Sequence, residues 1–588
     1  MHSKQQSQQL VHKGLIVILM IILAILSTYP AFTNQFFNIN HDGDIHLARM
    51  ESIYQALKVG HYPSLINLIG FHNHGIAMNA MYPWLTLLIY VLPRLVLGNP
   101  MLSLAVGFVI MNLLTIFNTY LLAKQLTRQK WIIWFSVIMY QFNTYHFTLM
   151  YSRIALGEAF GYTFLPLVML GLIKIWQHSN QGFLYLALGM SLVANSHVLS
   201  LVMYTILIIV FELIRLIQHH FTWFEFRQII YSGLVAVLLS AYSLYNIIIW
   251  TAHNKMLSPT PMLASLDPLY GFQKMLSNDI SESATGAHMG IAITVIMMFL
   301  VFRLVNNADG TWKKWIIGAL SILIISQNWF PWLLVANTPI NLIQFTMRLL
   351  TIVSLLIVIG TCLFLNQSPK ISKTAINALI IFIIFIGVTS ITKLHQKIDH
   401  DVSIAQEQLT KGEKTKSQAH KMDLRQLHTS NYNENVNAIP ALDYHLVKNS
   451  MQKHYKLNAQ NFDSFRTATA INRSNVTYDG TAEQNIKTLK VDDQHVIFKT
   501  TVKHNTKTLL PLVGYHHINY NISLNNHPVN YQLINGQLQI KASDKNSQIK
   551  VSIASIPRNG VLLTVTLFLN LLILIIIVEK WIQAHFLI

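Results

Sequence analysis

Residues 14–29 read GLIVILMIILAILSTY and contain no charged side chain. An α-helix of about 20 apolar residues is long enough to cross the hydrocarbon core of a bilayer. A soluble helix of that length would need a polar face toward water, and this stretch has none. The segment therefore predicts a membrane-spanning helix. Because no small-x-small cleavage site follows it, we interpret it as an uncleaved first helix rather than a signal peptide.

Comparable apolar stretches recur along the 588 residues. The candidates are 10–29, 81–97, 101–123, 131–150, 155–175, 183–199, 200–217, 229–250, 287–305, 315–335, 346–366, 374–392 and 560–578. The chain is 52% hydrophobic and only 11% charged, whereas a soluble protein has roughly 25% charged residues. Most of the chain is therefore predicted to form an all-α polytopic membrane domain.

The basic residues predict the topology, because positively charged loops are retained in the cytoplasm. If 81–97 does not span, every short basic loop falls on the cytoplasmic side: Lys124, Arg128 and Lys130; Lys174 and His178; Arg215 and Arg227; Arg303, Lys313 and Lys314; Lys370 and Lys373; and Lys580. We predict about twelve spans, both termini inside, and a partly embedded or re-entrant 81–97. The net charge of +18 fits this topology, and no basic–aromatic module suggests nucleic-acid binding.

This topology divides the chain into three parts: residues 1–392 form a transmembrane domain with an outer loop at 30–100, 393–559 form an extracellular domain, and 560–588 form a last helix with a cytoplasmic tail. The second half of 393–559 is predicted to be β-rich and sandwich-like. There Val491–Val502, Tyr520–Leu524 and Gln537–Lys541 alternate, with turn signals at Asn525-Asn526 and Asn535-Gly536. The single Cys362 allows no disulfide within the chain, so this domain must fold by its core alone.

The densest polar constellation, residues 41–49, follows the first helix and contains Asp42 and Asp44. Apolar residues at helical spacing come next (Met50, Ile53, Tyr54 and Leu57) and predict a short amphipathic helix on the membrane surface. One carboxylate could act as a general base toward a hydroxyl, or both could bind a divalent cation such as Mg²⁺ or Mn²⁺. The structural alternative is an Asx-turn with Asp44 as the N-cap of a helix over 45–57.

Three further polar sites interrupt apolar segments. Arg153 and Glu158 enter a span from its outer end and could form a local ion pair or hold a phosphate. His197 follows Asn195-Ser196 within an apolar pair of helices, where a lone histidine is more often a packing residue. Gln344-Phe345-Thr346-Met347-Arg348 opens another span, and Arg348 could bind phosphate or extend toward lipid headgroups. No Walker, GxSxG, HExxH or CxxC motif is present, which argues against a soluble-type ATPase or a zinc protease.

Together these motifs resemble one bacterial family. They are Asp-x-x-Ile-His-x-x-Arg at 42–49, Tyr62-Pro63, Tyr82-Pro83, Arg-(x)₄-Glu at 153–158, Ser196-His197 and Gln-Phe-x-x-Arg at 344–348. The family is that of the membrane proteins labelled 6-pyruvoyl-tetrahydropterin synthase-related, neighbours of the YfhO-like proteins, and it is similar to the GT-C superfold of glycosyltransferases. The resemblance covers roughly residues 10–390 and, more loosely, the β-rich end. Thr346-Met347 departs from the Pro-Trp that relatives tend to have before the arginine.

The resemblance implies an inverting glycosyltransferase. Its donor would be a sugar on polyprenyl phosphate, and its acceptor a cell-envelope polymer such as teichoic acid or a surface polysaccharide. It implies an essential acidic residue in the first outer loop, Asp42 or Asp44, with substrate binding by His46, Arg49, Arg153, Glu158, His197, Gln344 and Arg348. The expected location is the cell membrane, with the large C-terminal domain extracellular. Two alternatives stay open: a transporter or flippase of lipid-linked sugars, and a non-catalytic scaffold for envelope assembly.

Overall fold

The structure is a computed structural model of the chain. It describes residues 2–256, 263–281, 284–306, 310–336, 338–367, 372–438, 443–446, 486–500, 506–534, 536–542, 547–554, 556 and 558–586. Helices make up most of these residues, and short antiparallel strands are concentrated after residue 485. The predicted fold class, helical with a β-rich C-terminal part, is confirmed at this level.

The described helices follow the apolar stretches of the sequence. They are α1 His2–Thr28, α2 Gly43–Lys58, α3 Met78–Met81, α4 Leu88–Leu97, α5 Pro100–Leu126, α6 Lys130–Gln141, α7 Thr144–Phe147, α8 Leu156–Trp176, α9 Gly182–Ala194, α10 Val198–Ile217, α11 Trp223–Leu239, α12 Ala241–His253, α13 Pro268–Leu276, α14 Ile291–Asn306, α15 Lys313–Ile325, α16 Leu350–Gln367, α17 Lys373–Thr410, α18 Lys416–Asp423, α19 Tyr432–Asn437 and α20 Asn559–Phe586.

Seven of the described helices are long and apolar enough to cross a membrane, or eight if the bent pair α11 and α12 forms one span. The chain is therefore a multi-pass membrane protein by the length and composition of its helices. The predicted spans 183–199 and 287–305 correspond to shorter apolar helices, Gly182–Ala194 and Ile291–Asn306, and the partly embedded or re-entrant candidate 81–97 corresponds to Leu85–Leu97. The count of about twelve spans, and the sidedness of the loops, stay predictions.

The predicted span at 131–150 is broken in the structure. α6 ends at Gln141, Asn143 caps the short α7 by accepting a hydrogen bond from the Tyr145 amide at 2.9 Å, and a π-helical turn follows at Thr148–Ser152. Such π-turns occur often at functional sites. This turn directly precedes Arg153 and the start of α8.

The strands form three antiparallel sheets. The strands are β1 Phe37–Asn38, β2 Gln426–Leu427, β3 Ile486–Val491, β4 His495–Thr500, β5 Thr506–Val513, β6 Tyr520–Leu524, β7 His527–Pro528, β8 Gln532–Ile534, β9 Gln537–Ala542 and β10 Ser547–Ile553. One sheet has the order β3-β4-β10-β6-β7, a second has the order β5-β9-β8, and β1 pairs with β2. At the predicted hairpin turn, Asn525 and Asn526 adopt φ of 47° and 69°, as a type I′ turn requires.

The β-rich part contacts the segments that the sequence places on the outer side. Val513 donates its amide hydrogen to the carbonyl of His74 at 2.8 Å, and His516 donates its amide hydrogen to the side chain of Asn254 at 2.8 Å. The ring of Tyr515 lies 4.9 Å from that of Trp250. These contacts gather the predicted outer segments at one end of the helices.

Candidate functional site

The site begins at the N-terminus of α2. Asp42 occupies the N-cap position, its carbonyl accepts a hydrogen bond from the His46 amide at 3.0 Å, and its side chain makes no capping hydrogen bond. Asp44 lies inside the first helical turn, so the alternative that Asp44 is the N-cap is wrong. The positive end of the helix dipole favours negative charge here, and the side chain of Asp42 is not used for capping.

The turn at Asp42 is joined to the turn at Arg153. The Asp42 amide donates to the Arg153 carbonyl at 3.3 Å. Ile154, the next residue, has φ of 51°, which is a rare conformation for a β-branched side chain. A Cβ added at Gly43 would lie 2.8 Å from the Ile154 side chain, so the two turns touch. Backbone strain of this kind is concentrated at functional sites.

Asp44 is buried far enough to change its acid–base behaviour. Its Oδ1 atom is buried and has no hydrogen-bond partner among the described residues. Burial raises the pKa of Asp44 to about 7. A carboxyl group with such a pKa can exchange protons near neutral pH, as general bases do. Asp42 and Asp44 therefore both remain candidates for the catalytic base.

Arg49 holds the site together from within. It is 1% exposed and donates from Nη2 to the carbonyls of Tyr82 and Pro83, at 2.7 and 2.8 Å. Its Nε donates to Oδ1 of Asn79 at 3.3 Å, and Nη1 lies 3.2 Å from Nδ1 of His46. These contacts make Arg49 the anchor of residues 79–83. They favour a positioning role over the predicted direct contact with substrate.

The predicted location of α2 on the membrane surface is wrong. Met50, Ile53 and Tyr54 are buried inside the protein, where α2 packs against α4 and α19. The amphipathic spacing was correct, but the apolar face is covered by other parts of the chain rather than by lipid.

Tyr82 connects α2 with the membrane helices. Its ring lies 4.2 Å from the guanidinium carbon of Arg49, 5.4 Å from the ring of His46 and 5.8 Å from the ring of His197. It rests on Gly157, where an added Cβ would lie 2.2 Å from the tyrosine hydroxyl. The charges of Asp42, Arg348 and Glu158 all act on this hydroxyl, although burial is the main reason that its pKa rises to about 12. Tyr82 therefore lies where the predicted sites meet.

Glu158 joins two of those sites in one buried network. Its Oε2 accepts hydrogen bonds from Arg153 at 3.2 Å and from Arg348 at 3.3 Å, and its Oε1 accepts from the Tyr145 hydroxyl at 2.5 Å. The three charged side chains are between 4% and 8% exposed. Two guanidiniums thus donate to one carboxylate, and because guanidiniums bind phosphate well, the network is a candidate site for an anion.

Gln344 and Phe345 orient the arginines of this network. Nη1 of Arg348 donates to Oε1 of Gln344 at 3.1 Å and to the Ile343 carbonyl at 2.8 Å. The Phe345 ring lies 5.0 Å from the Arg153 guanidinium and 5.3 Å from that of Arg348. Nη2 of Arg348 has no hydrogen-bond partner in the described part of the chain. This nitrogen is therefore left to bind a ligand.

His197 caps a helix. Its Nδ1 accepts hydrogen bonds from the hydroxyl and the amide of Ser200, at 2.8 and 3.4 Å, at the start of α10. This agrees with the structural alternative, and it leaves Nε2 as the donor nitrogen of the neutral ring. Because its ring also faces Tyr82, His197 still borders the site.

The possible metal site has too few ligands to support a mechanism. Among the described residues, no group of three or more His, Cys, Asp or Glu side chains is arranged to hold a metal ion. Asp44, one of the two proposed ligands, is buried with a raised pKa, which disfavours the ionised form that binds a cation. We therefore derive no step through a metal.

A cleft of about 420 Å³ opens beside the far end of α2. Amide and carboxylate side chains line much of it: Glu51, Gln55, Asn73, Asn433, Asn437, Asp492 and Asp493. Such a lining offers many hydrogen-bond partners for a polar ligand.

Several residues of this site could not be predicted from the sequence. Tyr145, Asn79 and Gly157 gave no signal, because each lies in an apolar or undistinguished stretch and contributes through a contact distant in sequence. Tyr82 was noticed only as part of a Tyr-Pro motif. The spacing between motifs does not reveal which of them share a partner.

Comparisons with known proteins give one structural likeness. No family model matches the chain, and no curated protein matches it. The resemblance to the 6-pyruvoyl-tetrahydropterin synthase-related family therefore stays a prediction. Among solved structures, the chain is similar to the arabinofuranosyltransferase AftD from Mycobacteria, with 13% identity and a TM-score of 0.43. The match covers 65% of this chain and 26% of AftD, so this chain spans about a quarter of the length of that protein.

Proposed function

We propose that this protein is an inverting glycosyltransferase of the GT-C type. It transfers a sugar from polyprenyl phosphate to a cell-envelope polymer at the outer membrane face. The observation that carries the proposal is the meeting of two unlike groups, the Asp42 carboxyl group at the start of α2 and the Arg153–Glu158–Arg348 network, which are joined where the Asp42 amide donates to the Arg153 carbonyl at 3.3 Å. The first can take a proton from a hydroxyl, and the second can bind a phosphate.

The reaction follows from this separation of charge. A carboxylate, Asp42 in our assignment, accepts the proton of an acceptor hydroxyl while the hydroxyl oxygen attacks the anomeric carbon. The bond from that carbon to the phosphate oxygen breaks, and its electron pair leaves with polyprenyl phosphate. Attack opposite the leaving group inverts the anomeric configuration. Arg348, with Arg153 beside it, stabilises the charge on the departing phosphate.

A lipid-linked donor fits the surroundings of Arg348. The loop that precedes it exposes large apolar side chains: Trp329, Leu333, Leu334, Ile340 and Leu342. Leu333 is 89% exposed and Leu334 is 80% exposed. Exposed apolar side chains that cluster in this way mark a contact surface, whereas single exposed leucines do not. In a membrane protein such a loop can contact acyl or prenyl chains, which would bring the donor phosphate close to Arg348.

Substitution of Asp42 by Asn tests the proposal. The change keeps the size of the side chain but removes the basic carboxylate, so we expect the rate of glycosylation to fall about 10²–10⁴-fold. Cells that lack the native gene and express the variant should show normal protein in the membrane but unmodified envelope polymer. Polymer composition and membrane abundance are the two measurements.

Asp44→Asn is the matched variant, since it makes the same change two residues away. Loss of activity in this variant alone would make Asp44 the base, and loss in both would mean that the two carboxylates act together. Full activity in both variants would overturn the enzymatic proposal and favour a scaffold for envelope assembly.

A further inference from the structure

The polar cleft of about 420 Å³ beside the far end of α2 lies apart from the residues of the proposed reaction. Four segments that are distant in sequence form its walls: α2, the loop at residues 69–73, α19 and the turn between β3 and β4. Its volume falls within the range of ligand-binding pockets, about 300–1,000 Å³. The proposed reaction uses none of the residues that line it, so the cleft is available for another role.

Contacts between these segments hold the walls of the cleft in place. In the loop, the three consecutive residues 71–73 have φ between 51° and 62°, a conformation that persists only where neighbours impose it. Gly70 packs so closely on α2 that an added Cβ would lie 2.5 Å from the Ala48 side chain. At the β3–β4 turn, Oδ2 of Asp493 lies 2.8 Å from Nδ1 of His61. The cleft is therefore built by segments that pack on one another.

Glu51 supplies a buried carboxyl group to the cleft. It is 6% exposed, and its Oε1 accepts a hydrogen bond from Nε2 of Gln55 at 2.6 Å. Its Oε2 is also buried and has no hydrogen-bond partner of normal geometry in the described part of the chain. A buried polar atom without a partner costs free energy. A ligand hydroxyl that donates to Oε2 would offset this cost.

The remaining polar groups of the cleft favour an uncharged ligand. Two are aspartates already engaged with histidines, Asp493 with His61 at 2.8 Å and Asp492 with His495 at 3.1 Å. The others are amides, which both donate and accept hydrogen bonds: Gln55, Asn73, Asn433 and Asn437. Among the described residues no lysine or arginine lines the cleft, so a phosphate or carboxylate would find no countercharge there. Nor do those residues include three His, Cys, Asp or Glu side chains arranged to hold a metal ion.

We propose that this cleft binds the acceptor polymer away from the reacting sugar, and that the polymer is an uncharged, hydroxyl-rich polysaccharide. The inference rests on the proposed glycosyltransferase function and names the class of its acceptor. Glu51 follows Asp42 by nine residues on α2, which corresponds to about 14 Å along a helix. One extended sugar chain can therefore reach from the cleft to the proposed base. Teichoic acid fits the cleft less well, because its phosphates would lie beside acidic side chains.

The test measures binding and transfer separately with the full-length protein in lipid nanodiscs. Envelope polymer from cells that produce the protein is separated by anion exchange into an uncharged fraction and a phosphate-containing fraction, and each is titrated without donor. Undecaprenyl phosphate that carries a labelled sugar then serves as the donor probe. Transfer of the label is measured to long chains of the uncharged fraction and to short oligosaccharides cut from them.

Two variants change the cleft and one serves as the control. Glu51→Gln keeps the size of the buried side chain but removes its charge. Asn437→Ala removes an exposed amide from the wall that α19 forms. The control is Glu434→Gln, which makes the same change as Glu51→Gln at an exposed position of α19 that does not line the cleft.

We expect the wild type to bind the uncharged fraction more tightly than the phosphate-containing fraction. Glu51→Gln should weaken binding of the uncharged fraction about 10- to 100-fold, as loss of a hydrogen bond to a charged group does, and Asn437→Ala about 2- to 10-fold. Transfer to long chains should fall with binding. Transfer to oligosaccharides too short to reach the cleft from Asp42 should change less than about twofold. Glu434→Gln should match the wild type throughout.

Three results would overturn the inference. Binding of the phosphate-containing fraction as tightly as the uncharged one would refute the class of polymer. Unchanged binding in both cleft variants, or an equal fall of transfer to short and long chains, would refute the site. If Glu51→Gln does not fold, Asn437→Ala decides, because alanine is well tolerated at an exposed helical position. Failure of the proposed function looks different: the wild type then transfers no sugar to either chain, while the titrations without donor still report on the cleft.

Discussion

At Glu158 one carboxylate accepts hydrogen bonds from three side chains, one of which, Arg348, lies 190 residues away along the chain. Its charge compensates Arg153 and Arg348 together, so its role differs from that of a residue in a simple ion pair. Removing one partner from a buried charge network is strongly destabilising, whereas the intact network contributes little net stability. The network is therefore better explained by a function of its two guanidiniums than by stability alone.

Glu158→Gln should consequently lower the free energy of unfolding by about 3–5 kcal/mol. Adding Arg348→Met should recover part of that loss, because it removes a buried arginine that has lost its ion pair with Glu158. Thermal unfolding of the single and double variants in detergent measures both effects. Glu225→Gln, which breaks the buried Glu225–Arg215 pair at 2.6 Å, should destabilise the protein similarly but leave glycosylation intact. If the destabilisation by Arg348→Met instead adds in full to that by Glu158→Gln, the two residues are not coupled.

At the scale of single elements, the first turn of α8 is packed against the ring of Tyr82. Gly157 lies in its first turn, and the Tyr82 ring occupies the space that a side chain would fill. The apolar run at 155–175 predicted the helix, because periodicity and hydropathy are local properties. The sequence contained no sign that a tyrosine 75 residues earlier would pack on its first turn, since tertiary contacts have no local signature.

Gly157→Ala and Gly233→Ala should have opposite effects. Both glycines lie in helices, where alanine is intrinsically favoured by roughly 0.5–1 kcal/mol. Nothing lies within 4 Å of the position of a Cβ at Gly233, whereas at Gly157 the Cβ would meet Tyr82. We expect Gly233→Ala to raise the melting temperature slightly. Gly157→Ala should lower the melting temperature, because overpacking against Tyr82 reduces the free energy of unfolding by about 1–3 kcal/mol. The same substitution should reduce glycosylation by displacing Tyr82. Equal effects of the two substitutions would show that Tyr82 does not depend on Gly157.

At the scale of the whole molecule, loops that are predicted to lie on the same side of the membrane contact one another. The β1–β2 pair joins Phe37–Asn38 to Gln426–Leu427, and both segments are predicted to lie outside. At the other end Gln125 contacts Gln177 at 2.5 Å and Thr127 contacts Asn366 at 2.7 Å, in loops predicted to lie inside. Each of these contacts thus joins two segments that the charge pattern places on the same side of the membrane.

The sequence predicts the features that depend on neighbouring residues, and it does not predict those that depend on contacts between distant residues. The Asn525-Asn526 turn and the apolar helices depend on neighbours in sequence and were predicted correctly. The break within 131–150 was not, because it depends on the Asn143 cap, whose side chain also donates to Ser354 at 3.0 Å, far along the chain. The site was predicted as four separate motifs, but Arg49 and Tyr82, which link them, could be assigned only from the fold.

The topology can be tested by cysteine labelling, since Cys362 is the single cysteine and is buried. In a Cys362→Ala background, single cysteines replace the exposed residues Lys130, Lys314, Lys416 and Asn526. We expect a membrane-impermeant maleimide to label positions 416 and 526 on intact cells, because the β-rich part and α18 are predicted to lie outside. Positions 130 and 314 should react only after the membrane is permeabilised, because basic loops are retained inside. Labelling of positions 130 and 526 together on intact cells would contradict the predicted topology. It would remove the candidate site from the face where the proposed donor and acceptor meet.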